Sequence, residues 1–144
     1  MERIHATAVA FNGDAVLLRG VPGSGKSDLA LRLMDDGWDL VADDYTEILE
    51  ADDHLYARAP DNIMGMIEVR GLGIISVGCV PRAKVKAVFD LLPLSDIERL
   101  PDAATVSLLG FELPHFHLHG LDASAPAKVR MALKAHAENL FHNT

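Results

Sequence analysis

Gly20-Val21-Pro22-Gly23-Ser24-Gly25-Lys26-Ser27 fills every fixed position of the G-x-x-x-x-G-K-[ST] phosphate-binding loop. The glycines let backbone N–H groups turn inward and converge on phosphate oxygens. Lys26 adds a mobile cation for the terminal phosphates, and the Ser27 hydroxyl is placed to ligate Mg²⁺. The context agrees on both sides. Ala15-Val16-Leu17-Leu18 upstream reads as a buried strand. Downstream, Leu29, Ala30, Leu33 and Met34 mark one face of a helix that Gly37 ends, and the positive end of that helix points at the same anion.

Working outward, Ile4 to Phe11 has a strand pattern, and Asn12-Gly13 is a strong hairpin signal before the strand Ala15–Arg19. With Phe11 opposite Asp14, counting along the ladder places His5 opposite Gly20, beside the phosphate loop. After the helix, Leu40-Val41-Ala42 is a short strand that ends in Asp43-Asp44. In open α/β sheets, ligands sit beyond the carboxyl ends of strands, so a parallel neighbour of the loop strand would bring both acids to the same ligand. Adjacent carboxylates there suit Mg²⁺ handling and proton abstraction from a hydroxyl.

The rest of the chain carries weaker signals. Glu50 to His54 reads as an exposed hairpin tip, and Asn62–Gly65 as loop. In Ile67–Ile75, Glu68 and Arg70 flank a valine inside an apolar, glycine-bent stretch, where charges need partners. Arg82, Lys84 and Lys86 alternate with Ala83, Val85 and Ala87, which predicts a basic stripe along one strand face. Pro93 ends that strand, and Ser95–Leu100 resembles a short helix carrying Arg99. His115, His117 and His119 alternate on a later strand, but three rings along one extended strand converge poorly on a single metal ion. Pro126 opens a final helix to about Leu140, with Val129, Leu133 and Leu140 inward.

Composition bounds the function. The 144 residues make one domain with a sizeable core. A net charge of −8 argues against a general nucleic-acid binder. No apolar run is long enough to span a bilayer and no leader opens the chain, so the sequence predicts a cytoplasmic protein without membrane or nucleic-acid partners. The single cysteine, Cys79, excludes an internal disulfide and reads as a structural thiol in a reducing compartment.

The order of His5, the phosphate loop, Gly37…Leu40-Val41-Ala42-Asp43-Asp44 and Glu68-Val69-Arg70-Gly71-Leu72-Gly73-Ile74-Ile75 closely resembles the catalytic domain of bacterial HPr kinase/phosphorylase. The similarity is dense from His5 to Val77 and thin beyond. It implies an α/β, P-loop kinase-like domain over residues 1–144, with a mixed sheet, an N-terminal β-hairpin and flanking helices. Family members phosphorylate a serine of the phosphocarrier HPr with ATP and remove it again with inorganic phosphate. On that resemblance Gly20 to Ser27 would hold ATP, with Lys26 on phosphate, and Ser27 and Glu68 would hold Mg²⁺. Asp44 would accept the serine proton, Asp43 and His5 would complete the site, and Arg70 and Arg99 would serve the reaction. An HPr-like carrier is the implied partner, and a homo-oligomer, hexameric in the family, the implied assembly.

The chain looks like the shortened proteobacterial form, which lacks an N-terminal domain. It departs from the family where Gly78-Cys79-Val80-Pro81-Arg82 replaces a glycine-rich substrate loop. It departs again where Ala125-Pro126-Ala127-Lys128 replaces a Pro-Gly-Arg-Asn-like stretch linked to dephosphorylation. Kinase chemistry therefore transfers more safely than phosphorylase chemistry. Two other readings share the loop: a small-molecule P-loop kinase, and a nucleotide-gated binding module with little turnover.

Overall fold

A computed structural model describes residues 1–142. In chain order its strands and helices are β1 (Glu2–His5), β2 (Thr7–Phe11), β3 (Asp14–Arg19), α1 (Lys26–Asp35), β4 (Asp39–Ala42), β5 (Tyr45–Ala51), β6 (His54–Arg58), β7 (Met66–Val69), β8 (Gly73–Ser76), β9 (Ala83–Leu91), β10 (Thr105–Leu108), β11 (Phe111–Leu118) and α2 (Ala125–Glu138). The main sheet is mixed, in the order β1-β5-β6-β9-β3-β2-β4. Its middle is parallel, because β3 and β11 both run alongside β9 in the same direction. The far edge of β9 is shared: β6 pairs with its first residues and β11 with its last four.

The strands at the centre read as near-continuous apolar runs because both faces are covered. On one face α1 and α2 lie over Val16, Leu18, Phe89 and Leu91 through Leu29, Leu33 and Val129. On the other, the sheet curls so that Leu17 and Val88 meet Val41, Ile48, Leu55 and Leu113. Helix α1 ends as its sequence predicts: Gly37 takes φ 99°, and its N–H bonds the Met34 carbonyl at 3.0 Å.

The β2–β3 hairpin has the expected register, with Phe11 opposite Asp14 across Asn12-Gly13. Its extension to His5 does not hold. The ladder stops at Thr7, and β1 crosses to pair with β5, putting His5 opposite Tyr45. The acidic strand β4 is also not a direct neighbour of β3. It runs in the same direction, but β2 lies between them, antiparallel to both.

Four other expectations change. The stretch Ile67–Ile75 is not interior but a separate β7–β8 hairpin, which buries Ile67 and leaves Glu68, Arg70, Leu72 and Ile74 exposed, so its charges need no internal partners. A bulge between Val85 and Ala87 interrupts the alternation of the basic stripe, and Arg82 packs over the Tyr56 ring at 4.1 Å. Residues Ser95–Leu100 do not form a helix. Only the 3₁₀ turn Leu94–Asp96 is present, because six residues cannot sustain a helix and Pro101 disfavours helical backbone at Leu100. Helix α2 stops at Glu138, where Asn139 adopts φ 56°, so Leu140 turns outward and is exposed rather than inward.

Glu47 ties the three outer strands together. It lies opposite Arg3 of β1 and Arg58 of β6, and accepts hydrogen bonds from them at 3.3 and 2.9 Å. The Arg58 bond, reinforced by Arg3, outweighs burial and holds the Glu47 carboxyl below its ordinary value. A lowered folded-state value contributes stability that is present above the unfolded value, near pH 4.5, and is lost as pH falls through the folded one. Glu47→Gln is expected to lower stability by ~1 kcal/mol at neutral pH, since both arginines remain partly solvated. The loss should shrink as pH falls below the unfolded value and vanish only once the folded-state carboxyl is itself protonated. Urea melts of both proteins across this range check it.

Candidate active site

The loop Gly20–Ser27 leaves the end of β3 and enters α1 at Lys26, so that the helix N-terminus faces the loop's interior. Two of its glycines are required by their surroundings. A side chain at Gly20 would collide with Ser24 and approach the Leu91 carbonyl to 3.0 Å; at Gly25, where φ is 100°, it would meet Leu121 at 2.9 Å. Lys26 is only 7% exposed, and its Nζ donates to the carbonyls of Gly20 at 2.7 Å and Val21 at 3.3 Å. The ammonium is thus fixed over the loop. The hydroxyl of Ser24 is buried there without a hydrogen-bond partner among the described residues.

Asp43 is the hub of the site. It is 8% exposed, and its Oδ1 accepts hydrogen bonds from Ser27 Oγ at 2.6 Å and from Thr7 Oγ1 at 3.2 Å. Its Oδ2 accepts the backbone N–H of Glu68 at 3.0 Å, which docks the β7–β8 hairpin against the loop. Asp44 is different. Its φ of 68° is left-handed, a conformation that an aspartate tolerates better than most residues, and it turns the side chain outward. Thr7 Oγ1 accepts the Asp44 N–H at 3.0 Å, so one buried threonine holds both acids. The Asp44 side chain remains 55% exposed, with Oδ1 2.7 Å from His5 Nε2. The His5 ring stacks on Tyr45 with centroids 5.2 Å apart.

The structure therefore brings together Lys26, Ser27, Asp43, Asp44 and His5 at one end of the sheet. Glu68 joins them through its backbone, while its side chain and that of Arg70 stand exposed on the hairpin. Arg99 lies apart, on the loop after β9, lining a cavity that includes none of the phosphate-loop residues. The basic stripe lies at the other end of the sheet, since Lys84 pairs with Asp14 at the start of β3. Sequence reasoning missed Thr7, whose role depends on the chain leaving the hairpin ladder just before it.

A mixed sheet, a glycine loop between β3 and α1, and both helices on one sheet face define a P-loop kinase-like fold. A family model described as the HPr Serine kinase C-terminal domain matches residues 1–88, and the chain belongs to that family. Among curated relatives, it is 37% identical over 123 residues to an HPr kinase/phosphorylase of Geobacillus thermodenitrificans, covering 77% of this chain and 40% of the relative. It is 45% identical over 75 residues to an HPr kinase/phosphorylase of Clostridium beijerinckii, covering 52% of this chain and 25% of the relative. The chain thus spans well under half the length of these relatives. The structure of the Hpr(Ser) kinase/phosphatase from Coxiella burnetii superimposes with a TM-score of 0.86 at 24% identity, over 97% of this chain and 93% of that one, which shows the fold.

Proposed function

We propose that this chain, as one catalytic domain over residues 1–144, is an ATP- and Mg²⁺-dependent kinase that phosphorylates a serine on an HPr-like phosphocarrier. It would work in the cytoplasm as a homo-oligomer. The observation that carries the reading is the division of labour between the two acids. Asp43 is buried and bonded to the loop serine, whereas Asp44 is exposed and paired with His5.

The donor set fits a nucleotide and a divalent ion. A buried loop hydroxyl at Ser24 stands without a partner, and the Ser27–Asp43 pair offers hard oxygens of the kind Mg²⁺ takes. Bound there, the ion and the nucleotide supply charge neutralisation and the phosphoryl group. Lys26 needs only to exchange two carbonyl contacts for phosphate oxygens. Thr7 and the Glu68 N–H fix the Asp43 carboxylate, so it needs no reordering when the site fills. Asp44 Oδ is the proton acceptor for an incoming hydroxyl, and His5 orients the carboxylate from the other side.

Incubating the purified chain with γ-labelled ATP and Mg²⁺, against HPr-like carriers and a panel of small metabolites, tests the reading. Label is expected on a carrier serine. Label on a metabolite instead, or saturable ATP binding without transfer to either class, overturns it.

A further inference from the structure

Away from the phosphate loop, Asp90, His115 and His117 are the one group of three His, Cys, Asp or Glu residues, among those described, whose donor atoms all come within 4.8 Å of one another. We propose that these three side chains, completed by water, bind a divalent first-row transition ion, with Zn²⁺ the ordinary occupant. The inference stands independently of the kinase reading.

Strand pairing builds the group. β11 runs parallel to β9 with His117 opposite Asp90 and His115 opposite Val88. His115 and His117, two residues apart, project to the same side of their strand, and their ring centroids lie 4.5 Å apart. Asp90 reaches across from the neighbouring strand and places Oδ2 2.7 Å from His115 Nε2. Three histidines on one strand do not converge here either: His119 lies beyond β11, and its Nδ1 is engaged by the Leu92 carbonyl at 2.9 Å. The third ligand is instead a carboxylate from the next strand.

Two imidazoles and one carboxylate are the donors of zinc sites that keep an open position, and they disfavour Mg²⁺ and Ca²⁺, which prefer oxygen. The present Asp90–His115 distance is that of a hydrogen bond. Metal–ligand bonds of about 2.0–2.1 Å at a tetrahedral angle set ligand atoms about 3.3 Å apart, which a small rotation of the ring supplies. Arg19 forks onto both oxygens of Asp90, Nε to Oδ1 at 2.7 Å and Nη2 to Oδ2 at 3.0 Å, and Oδ2 is the oxygen that also faces His115. This fork fixes the orientation of the carboxylate, the part that outer-shell partners play around metal ligands.

A plain ion-pair network would need only Arg19, Asp90 and His115. His117 has no place in it: its ring makes no hydrogen bond or ion pair among the described residues and packs against the ring of His115. Both histidines also border a cavity of about 780 Å³, whose wall carries Asp96, Glu98 and Asp102 beside Arg99, Lys128 and His136, so the pair is reachable from solvent.

Titrating Co²⁺ and then Zn²⁺ into the nucleotide-free chain near neutral pH tests the site. One Co²⁺ per chain should give the visible absorption of a low-coordinate ion, Zn²⁺ should displace it, and Zn²⁺ should raise the melting temperature by cross-linking β9 to β11. His117→Ala, at an exposed position, should fold normally and lose affinity by at least the roughly 10- to 100-fold that removal of even an outer-shell partner costs. Asp90→Asn should lose it as well, whereas His54→Ala, at an exposed histidine elsewhere, should keep it. The absence of saturable Zn²⁺ uptake, or wild-type affinity in folded His117→Ala, overturns the proposal.

Discussion

The Lys26→Ala variant is expected to bind ATP·Mg²⁺ about 10- to 100-fold more weakly than the wild type while melting at nearly the same temperature. The size follows from the interaction removed: a hydrogen bond to a charged group contributes about 1.5–3 kcal/mol, and each ~1.4 kcal/mol is a factor of ten. Stability should survive for two reasons. Lys26 opens α1, where alanine is an excellent helix former, and what its ammonium touches in the free protein are two carbonyls of the loop itself. Losing those contacts frees the loop without opening the core, which lies behind it at Leu18, Leu29 and Phe89. Calorimetric titration with ATP·Mg²⁺, beside a thermal melt, is the measurement. Unchanged affinity in the folded variant would mean that the loop does not hold phosphate.

What could be read from the sequence was what is local in it. Gly20 to Ser27, the helix after it and the Asn12-Gly13 turn each depend on a few adjacent residues, and each stands in the fold where the pattern places it. The family resemblance extends this reach, because a quoted run such as Glu68 to Ile75 carries its context with it. Errors begin where pairing partners are distant. The hairpin count put His5 near the phosphate loop by continuing a ladder that in fact ends at Thr7. His5 reaches the site by another route, through β5, because Thr46 Oγ1 bonds the Ala6 carbonyl at 2.9 Å and β1 diverges there. The acids of β4 and the loop of β3 share one end of the sheet, as expected, yet β2 separates the strands. Interleaving of this kind leaves no trace in spacing. The same holds for Arg19, Asp90 and His115, which are separated by 71 and 25 positions and meet only because β3, β9 and β11 run parallel. The apolar character of Ile67–Ile75 misled in the opposite sense, since the run forms a hairpin that gives the core only Ile67 and part of Val69 and leaves Leu72 and Ile74 exposed.

Asp44→Asn is expected to slow forward phosphoryl transfer by roughly two to four orders of magnitude, the usual worth of a positioned general base. The two neighbouring acids differ enough to assign this effect to one of them. Asp43 already accepts three hydrogen bonds, from Ser27, Thr7 and the Glu68 N–H, and is nearly buried, so it has little capacity to take a proton from an incoming hydroxyl. Asp44 faces outward, with a single side-chain partner in His5. Asparagine keeps the size of Asp44, tolerates its left-handed backbone and still offers an oxygen to His5, but it cannot carry the proton. Nucleotide and carrier affinities should therefore stay near wild type, and the loss should fall on the single-turnover rate with both partners saturating. Microscopic reversibility demands a matching loss in the reverse direction wherever the chain removes phosphate. Asp43→Asn should behave differently, because its amide NH₂ would confront hydroxyl and backbone donors in a buried hub; KM for ATP·Mg²⁺ should rise and the melting temperature should fall. Near-normal transfer in Asp44→Asn, together with transfer abolished in a folded, ATP-binding Asp43→Asn, would move the proton to the buried acid and overturn the assignment.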